Sequence, residues 1–309
     1  MRGSLLASAP GKLFLSGEYA VLSGAPAVVT AVDRRAMAYA AKTAPPPSPV
    51  LAAVRREVAR HFGVAGPGQL PLVRVDTSEL SLGRRKLGLG SSAATAVAAT
   101  AALLALGGAG ELGAGELLAL AGAAHRSAQR GRGSGADVAA AVYGGTLEFS
   151  AEREPRPLEL RGIEPVFAWT GVEASTAELL AAVERLAGRD PAAHRDLVAR
   201  LEREARDLAG AYRAGDAAGV IASSARYREL MEELGRAAGV AIVTAAHRRA
   251  AEIAEGLGGT AKPSGAGGGD CAVALFAEKK AAQSFRRECR AAGLEPLDLR
   301  PSAAGATIG

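Results

Sequence analysis

Along residues 5–40, LLASAPGKLFLSGEYAVLSGAPAVVTAVDRRAMAYA, short apolar runs rich in β-branched and aromatic residues alternate with turn residues, a spacing that predicts antiparallel strands. Turns are expected at Pro10-Gly11 and at Ser23-Gly24-Ala25-Pro26, so that Lys12 opens a strand. PPPSP at 45–49 breaks the sheet, VLAAVRREVARHF reads as an amphipathic helix, and LPLVRVDTSEL as a further strand. The central stretch, 86–106, is glycine and serine in its first half and one uninterrupted apolar helix in its second. A glycine-rich segment at 107–115 then leads to the helix ELLALAGAAHRSAQR, which ends in GRGSGAD before another apolar helical run. Residues 155–165 are proline-rich and expected to be irregular, and the boundary between two domains, 1–165 and 166–309, falls there. Beyond it VFAWTGVEAST predicts a strand ending in a turn at Ser175-Thr176, followed by helices. A second glycine-rich loop at 262–270 precedes the strand CAVALF, and a helix and a strand-like EPLDLRP complete the chain. The whole reads as an α+β fold of two domains.

Composition narrows the function classes. A chain of 309 residues, 49% hydrophobic, has enough material for a substantial core. It has no charge-free apolar segment of about 20 residues, and the apolar part of MRGSLLASAPGK is too short for a signal peptide, so a cytosolic protein with no membrane association is expected. The net charge of +5 comes from arginines interleaved with acids, with only 4% aromatic residues to stack on bases. Nucleic acid is therefore excluded in favour of small anionic substrates. Cys271 and Cys289 are too few for a disulfide framework and are not spaced as zinc ligands; both are expected to be reduced, with Cys271 buried. The four histidines fall in helical patterns without a metal-like partner spacing.

The glycines of Gly88-Leu89-Gly90-Ser91-Ser92 can take positive φ, and a serine can cap the helix that follows. Such a segment is either a tight capped turn or a phosphate cradle, since the free N–H groups of a helix N-terminus bind anions. It is not a P-loop, because no G-x-x-x-x-G-K-[ST] occurs. It also fits a dinucleotide fingerprint through Gly88, Gly90 and Ala93, but Gly83-Arg84-Arg85-Lys86 stands where that motif needs an apolar strand. Only six of the 37 basic residues are lysines, and three of them, Lys12, Lys86 and Lys262, flank glycine motifs, where a compact point charge suits a phosphate. Asp137 is either a helix cap or a carboxylate held beside the phosphate loops, and Arg130 and Arg132 are close enough to meet one anion. In the 262–270 loop, six flexible or polar residues before a buried strand point to backbone laid against a ligand rather than to packing.

Three segments in one order, APGKLFLSGEYAVLSGAPAV, KLGLGSSAATA and KPSGAGGGDCAVALF, resemble those of the GHMP kinases over essentially the whole chain. The resemblance implies an S5-like N-terminal fold, a ferredoxin-like C-terminal half and ATP-dependent phosphoryl transfer. Within that superfamily GEY, GSGADVAAAVYG, WTGVEAST and SGAGGGDC look most like the bacterial-type phosphomevalonate kinases. Mevalonate kinases usually carry a magnesium-binding glutamate shortly before the catalytic aspartate, whereas residues 126–132 here hold no acid.

By the resemblance, Lys12 stabilises the transferred phosphoryl group, and Asp137 orients Lys12 and the acceptor or helps to hold Mg2+. Lys86 and the residues Gly88, Leu89, Gly90, Ser91, Ser92 and Ala93 bind ATP, with Ser91 or Ser92 meeting the metal. Tyr19, Arg130, Arg132, Ser134, Gly135, Ser175 and Thr176, with Ser264, Gly265, Ala266 and Gly267 of the second loop, shape the acceptor side. The implied reaction phosphorylates 5-phosphomevalonate to 5-diphosphomevalonate in isoprenoid biosynthesis, by a monomer or homodimer. The alternatives are mevalonate kinase, a decarboxylase of the same superfamily and a non-enzymatic ligand sensor.

Overall fold

The computed structural model describes residues 4–83, 85–108 and 113–309. Arg84 of the basic segment before the central loop, and residues 109–112 of the glycine-rich connection, lie outside the described residues. The chain runs β1 (Leu5–Ser16), β2 (Ala27–Ala40), α1 (Pro49–His61), β3 (Val73–Asp76), β4 (Ser81–Leu82), β5 (Arg85–Lys86), α2 (Ser91–Leu106), α3 (Ala114–Ala128) and α4 (Ala136–Tyr143). It continues through β6 (Thr146–Ser150), β7 (Arg153–Leu158), β8 (Glu164–Trp169), α5 (Thr176–Arg189), α6 (Pro191–Ala214), α7 (Ala217–Ala238) and α8 (Ala245–Gly256). It closes with β9 (Thr260–Ser264), β10 (Cys271–Phe276), α9 (Lys279–Ala291), β11 (Glu295–Leu297) and β12 (Thr307–Ile308).

Two antiparallel sheets carry the fold. The first has the order β12-β1-β2-β6-β7 with β3 also paired to β2; the second has the order β11-β8-β10-β9. The alternating segment at 5–40 forms β1 and β2 as the pattern predicts, paired from Leu5↔Tyr39 to Ser16↔Val28. Pro10-Gly11 is not a turn, however. β1 passes straight through it, and a shift of register there absorbs the proline, which has no N–H to give the ladder. Lys12 thus sits in the interior of a long strand rather than at its start.

The proline-rich segment is not irregular either: Arg153–Leu158 forms β7 beside β6. β7 is the edge of the sheet, and an edge is where prolines such as Pro155 and Pro157 cost no ladder bond. At the opposite edge β12 pairs with β1, a strand that two residues of local pattern could not announce.

α2 is the hub of the core. Its small, mostly alanine face is buried from Ala93 to Leu104 with little interruption, and it packs on β1 and β2 and on α1, α3 and α4. The same apolar cluster continues through Phe167 and Trp169 of β8 and Cys271 and Val273 of β10, so the two sheets share one core. Because the N-terminus of α2 emerges where β1, the β9–β10 hairpin and the start of α5 meet, the fold leaves a cavity there.

Candidate active site

The cavity has a volume of about 580 Å3 and is lined from both halves of the chain, by β1, the segment before α2, α4, the start of α5 and the β9–β10 hairpin. Gly88 and Gly90 line it, and each residue of the segment 87–90 has a partner. The thiol of Cys271 donates to Leu87 O at 3.0 Å. At Gly88, with φ 72°, an added Cβ would come within 2.5 Å of Asp270 Cβ. The N–H of Lys12 donates to Leu89 O at 2.9 Å. A Cβ on Gly90, also at φ 72°, would meet Lys12 Cε at 2.9 Å. Both glycines are required by their own left-handed backbone, and Gly88 by the close approach of Asp270 as well.

No serine caps α2. Its N-cap is Gly90, without a side-chain hydrogen bond, so the first N–H groups of the helix stay open beside the cavity lining formed by Ser91 and Ser92. That is the arrangement that suits a triphosphate, and Lys86 also lines it. Leu89 and Ala93 face the core instead and do not line the cavity.

Lys12 is buried to 9% exposure and its ammonium lies 5.1 Å from the centre of the Phe14 ring. Among the described residues no carboxylate stands within 4.0 Å of it, Asp137 included, although both residues line the cavity. Asp137 sits in the first turn of α4, whose N-cap is Gly135, so it is not the helix cap; its Oδ1 accepts from the N–H of Val138 at 2.9 Å. Its Oδ2 is 3.9 Å from Nε2 of His125, and the same ring nitrogen is 3.0 Å from Ser92 Oγ and 3.1 Å from Gln129 Nε2. Buried His125 thus joins the start of α2 to Asp137. The sequence showed it only as one more helical histidine.

Of the residues expected on the acceptor side, Arg130, Arg132, Ser134 and Thr176 line the cavity. Arg130 is exposed and carries a positive φ of 57°, and Arg132 makes an exposed pair with Glu184 at 3.3 Å. Ser134 Oγ accepts from the N–H of Ala136 at 3.2 Å. Ser175 is taken up as the N-cap of α5, accepting from Glu178, and neither it nor Gly135 lines the cavity.

The second glycine-rich loop is shorter than the sequence suggests, because residues 262–264 belong to β9. Ser264, Gly265 and Ala266 line the cavity, but the following glycines serve protein packing. An added Cβ would lie 2.3 Å from Ile242 O at Gly267, 2.9 Å from Leu179 Cδ1 at Gly268 and 2.6 Å from Val172 O at Gly269. Lys262, expected near a phosphate, is fully buried and ion-paired with Glu18. Burial pushes its pKa down, and Glu18 pulls it back up. Glu18 also accepts from the N–H of Gly265 at 3.3 Å, and Tyr19 OH donates to Ala266 O at 2.5 Å. The GEY segment therefore shapes the second loop from beneath, with Tyr19 lining the cavity as expected.

Sequence reasoning passed over Glu18, His125 and Asp270 as site residues. Asp270 lines the cavity from the end of the second loop, and burial raises its carboxyl above the usual range despite Lys12 and Lys86 nearby. The one local signal was an acid closing a glycine run ahead of a buried strand. Among the described residues no cluster of three or more His, Cys, Asp or Glu forms a metal site. Among the described residues no helix is long and apolar enough to cross a membrane.

The family profile "GHMP kinases N terminal domain" matches residues 50–145, and "GHMP kinases C terminal" matches residues 220–294. The chain is 29% identical to a phosphomevalonate kinase of Streptomyces sp. (strain CL190), over 98% of both proteins. It is 31% identical to a mevalonate kinase of Aeropyrum pernix, over 90% of both. The fold superposes with a TM-score of 0.77 on Streptococcus pneumoniae phosphomevalonate kinase solved in complex with phosphomevalonate and AMPPNP, at 21% identity, over 96% of this chain and 99% of that one. With an open helix N-terminus beside a buried lysine, and with both family profiles in order, the chain belongs to the GHMP kinases.

Proposed function

We propose that this kinase transfers the γ-phosphoryl group of ATP to the phosphate of 5-phosphomevalonate, giving 5-diphosphomevalonate and ADP. The observation that carries the reading is the basic acceptor rim: Arg130 and Arg132 line the cavity, and no acid occurs between residues 126 and 132. A phosphate monoester has a second pKa near 6, so at pH 7 it is already a nucleophile and needs charge neutralisation and alignment more than a base. Arginines at the rim supply both. The phosphomevalonate kinase relative from Streptomyces, matched end to end, supports the same reading.

ATP supplies the transferable phosphoryl group and the leaving group. The chain's own residues do the positioning, which is most of the catalysis in phosphoryl transfer. The N–H groups at the start of α2, with Gly88 to Gly90, Lys86 and Ser91, receive the phosphates. The ammonium of Lys12 stabilises charge on the phosphoryl oxygens as the bond to the leaving group breaks and the bond to the acceptor oxygen forms. Asp137, steadied by Val138 N–H and close to His125, orients the acceptor. A Mg2+ ion accompanying the triphosphate would take a hydroxyl of Ser91 or Ser92 and the Asp137 carboxylate. Ser91 is the freer of the two serines, since Ser92 already faces His125. Thr176 and the backbone of residues 264–266 border the acceptor. On this reading the active site lies between domains 1–165 and 166–309.

Mevalonate kinase is the second reading, favoured by the relative from Aeropyrum pernix and by a carboxylate at Asp137 able to take a proton from a hydroxyl. ADP release with ATP and Mg2+, run in parallel with phosphomevalonate and mevalonate, separates the two. Turnover with phosphomevalonate alone is expected. Turnover with mevalonate alone overturns the assignment, and turnover with neither overturns both acceptor readings.

A further inference from the structure

Asp270 is held in a way that loop closure alone does not require. It has a left-handed backbone, φ 53°, directly after three glycines, where a fourth would have met the same turn without strain. Its N–H donates to Val172 O at 2.7 Å, its carbonyl accepts from Thr170 N–H at 2.8 Å, and Oδ1 accepts from Ala174 N–H at 3.1 Å. The segment leading to Thr176 is therefore tied three times to one residue. That segment reaches the phosphate loop a second time through Glu173, whose Oε1 accepts from Lys86 N–H at 3.0 Å. Asp270 meanwhile packs against Gly88, and Lys12 crosses Gly90 two residues further along the same loop.

The charges complete the picture. The Lys12 ammonium has no carboxylate within 4.0 Å among the described residues, and Asp137 is occupied with Val138. Lys12 and Lys86 both favour the ionised form of Asp270, against the burial that opposes it. A carboxylate beside a loop built for phosphates repels the bound triphosphate, so its presence there calls for a compensating role.

We propose that Asp270 is a positioning residue: its side chain seats the phosphate loop and the 172–176 segment in one arrangement, and its charge keeps the ammonium of Lys12 aligned over that loop for the transfer step. The inference rests on the phosphoryl-transfer reading of this cavity. It goes further in assigning opposite effects on nucleotide binding and on turnover to a single carboxylate.

Asp270→Asn is the decisive variant. Asparagine keeps the size, tolerates the left-handed backbone and can still accept from Ala174 N–H, so a purely structural role would survive the change. With the carboxylate gone, Mg2+·AMPPNP should bind about threefold to tenfold more tightly by titration calorimetry while kcat falls about tenfold or more. Asp270→Gly, which suits the backbone but also loses the Ala174 anchor, should melt close to the wild-type temperature, lose kcat similarly and raise the KM of the acceptor in addition. Wild-type kcat in Asp270→Asn, or an AMPPNP affinity no tighter than wild type, overturns the proposal. If the wild-type protein turns over neither acceptor, the acceptor readings fail by themselves, and the AMPPNP titration alone still decides whether this carboxylate opposes charge on the loop.

Discussion

Lys12 and Gly88 show how single residues are fixed by what surrounds them. The Lys12 ammonium is buried over Phe14 and, among the described residues, has no carboxylate within 4.0 Å, so its charge is available to meet charge that develops during transfer. Lys12→Met should lower kcat by about a hundredfold or more and leave the apparent affinity for ATP within a few fold, because a group used mainly in the transition state contributes little to ground-state binding. Steady-state kinetics with varied ATP read this, and an equal loss in both parameters would remove Lys12 from its role. Gly88→Ala places a Cβ 2.5 Å from Asp270 Cβ and forces alanine to φ 72°. A stability loss of about 1–3 kcal/mol is expected from the backbone alone, together with loss of ADP release. Of these two residues the sequence identified both but explained neither. Glycine at 88 was readable as loop chemistry, whereas the reason for it is a carboxylate 182 positions away in the chain, as Asp270 is from Gly88. Asp270, Glu18 and His125 went unread for the same reason, since each acquires its role from a neighbour that is distant in sequence.

Among the elements, α8 carries a pH-dependent joint. Thr244 caps the helix in a reciprocal box with His247, whose Nδ1 lies 3.2 Å from Thr244 N and 3.0 Å from Thr244 Oγ1. Burial is the main cause that lowers the pKa of His247 to about 4. An unfolded histidine takes up its proton near 6.5, so below that pH the unfolded state binds more protons than the folded one. Stability from this group is complete above about pH 6.5 and declines as the pH falls toward 4, by at most about 3 kcal/mol. Urea midpoints at several pH values between 7.5 and 5 should show that decline, and His247→Gln should flatten it; an unchanged slope in the variant would assign the acid sensitivity elsewhere. Elements with strong periodicity, such as α1, stand where the pattern placed them, because an amphipathic stripe encodes its own buried face. β7 and β12 did not follow from the pattern. Prolines are acceptable only once β7 is known to be an edge, and β12 is a strand only because β1 offers it a ladder.

At the scale of the molecule, the buried pair of Glu18 and Lys262 joins the end of the β1 segment to β9 and so ties the first sheet to the second. Both side chains are almost wholly shielded from water, and Glu18 Oε2 has no hydrogen-bond partner among the described residues. Lys262→Met alone would strand the Glu18 charge in the interior and should cost about 3–5 kcal/mol, measured by the denaturant midpoint. Glu18→Met combined with Lys262→Met should recover most of that loss, since an apolar pair of similar volume replaces an ion pair at little net cost. Additive losses in the double variant would mean that the pair does not act as a unit.

Helices and strands with strong periodicity, the α+β class, the buried central helix behind a glycine and serine loop, and the family are legible in the chain, because each depends on residues close together in it. Tertiary structure alone decided that Gly90 rather than a serine caps α2, that Gly267 to Gly269 answer to packing, and that Lys262 is a structural cation while Lys12 faces the cavity. It also brought Asp270 onto Gly88 and His125 between Ser92 and Asp137. A local pattern fixes which face of a segment is apolar, but a charge or a glycine acquires its role from the atoms that folding sets against it, and those come from parts of the chain that only the closed core brings together.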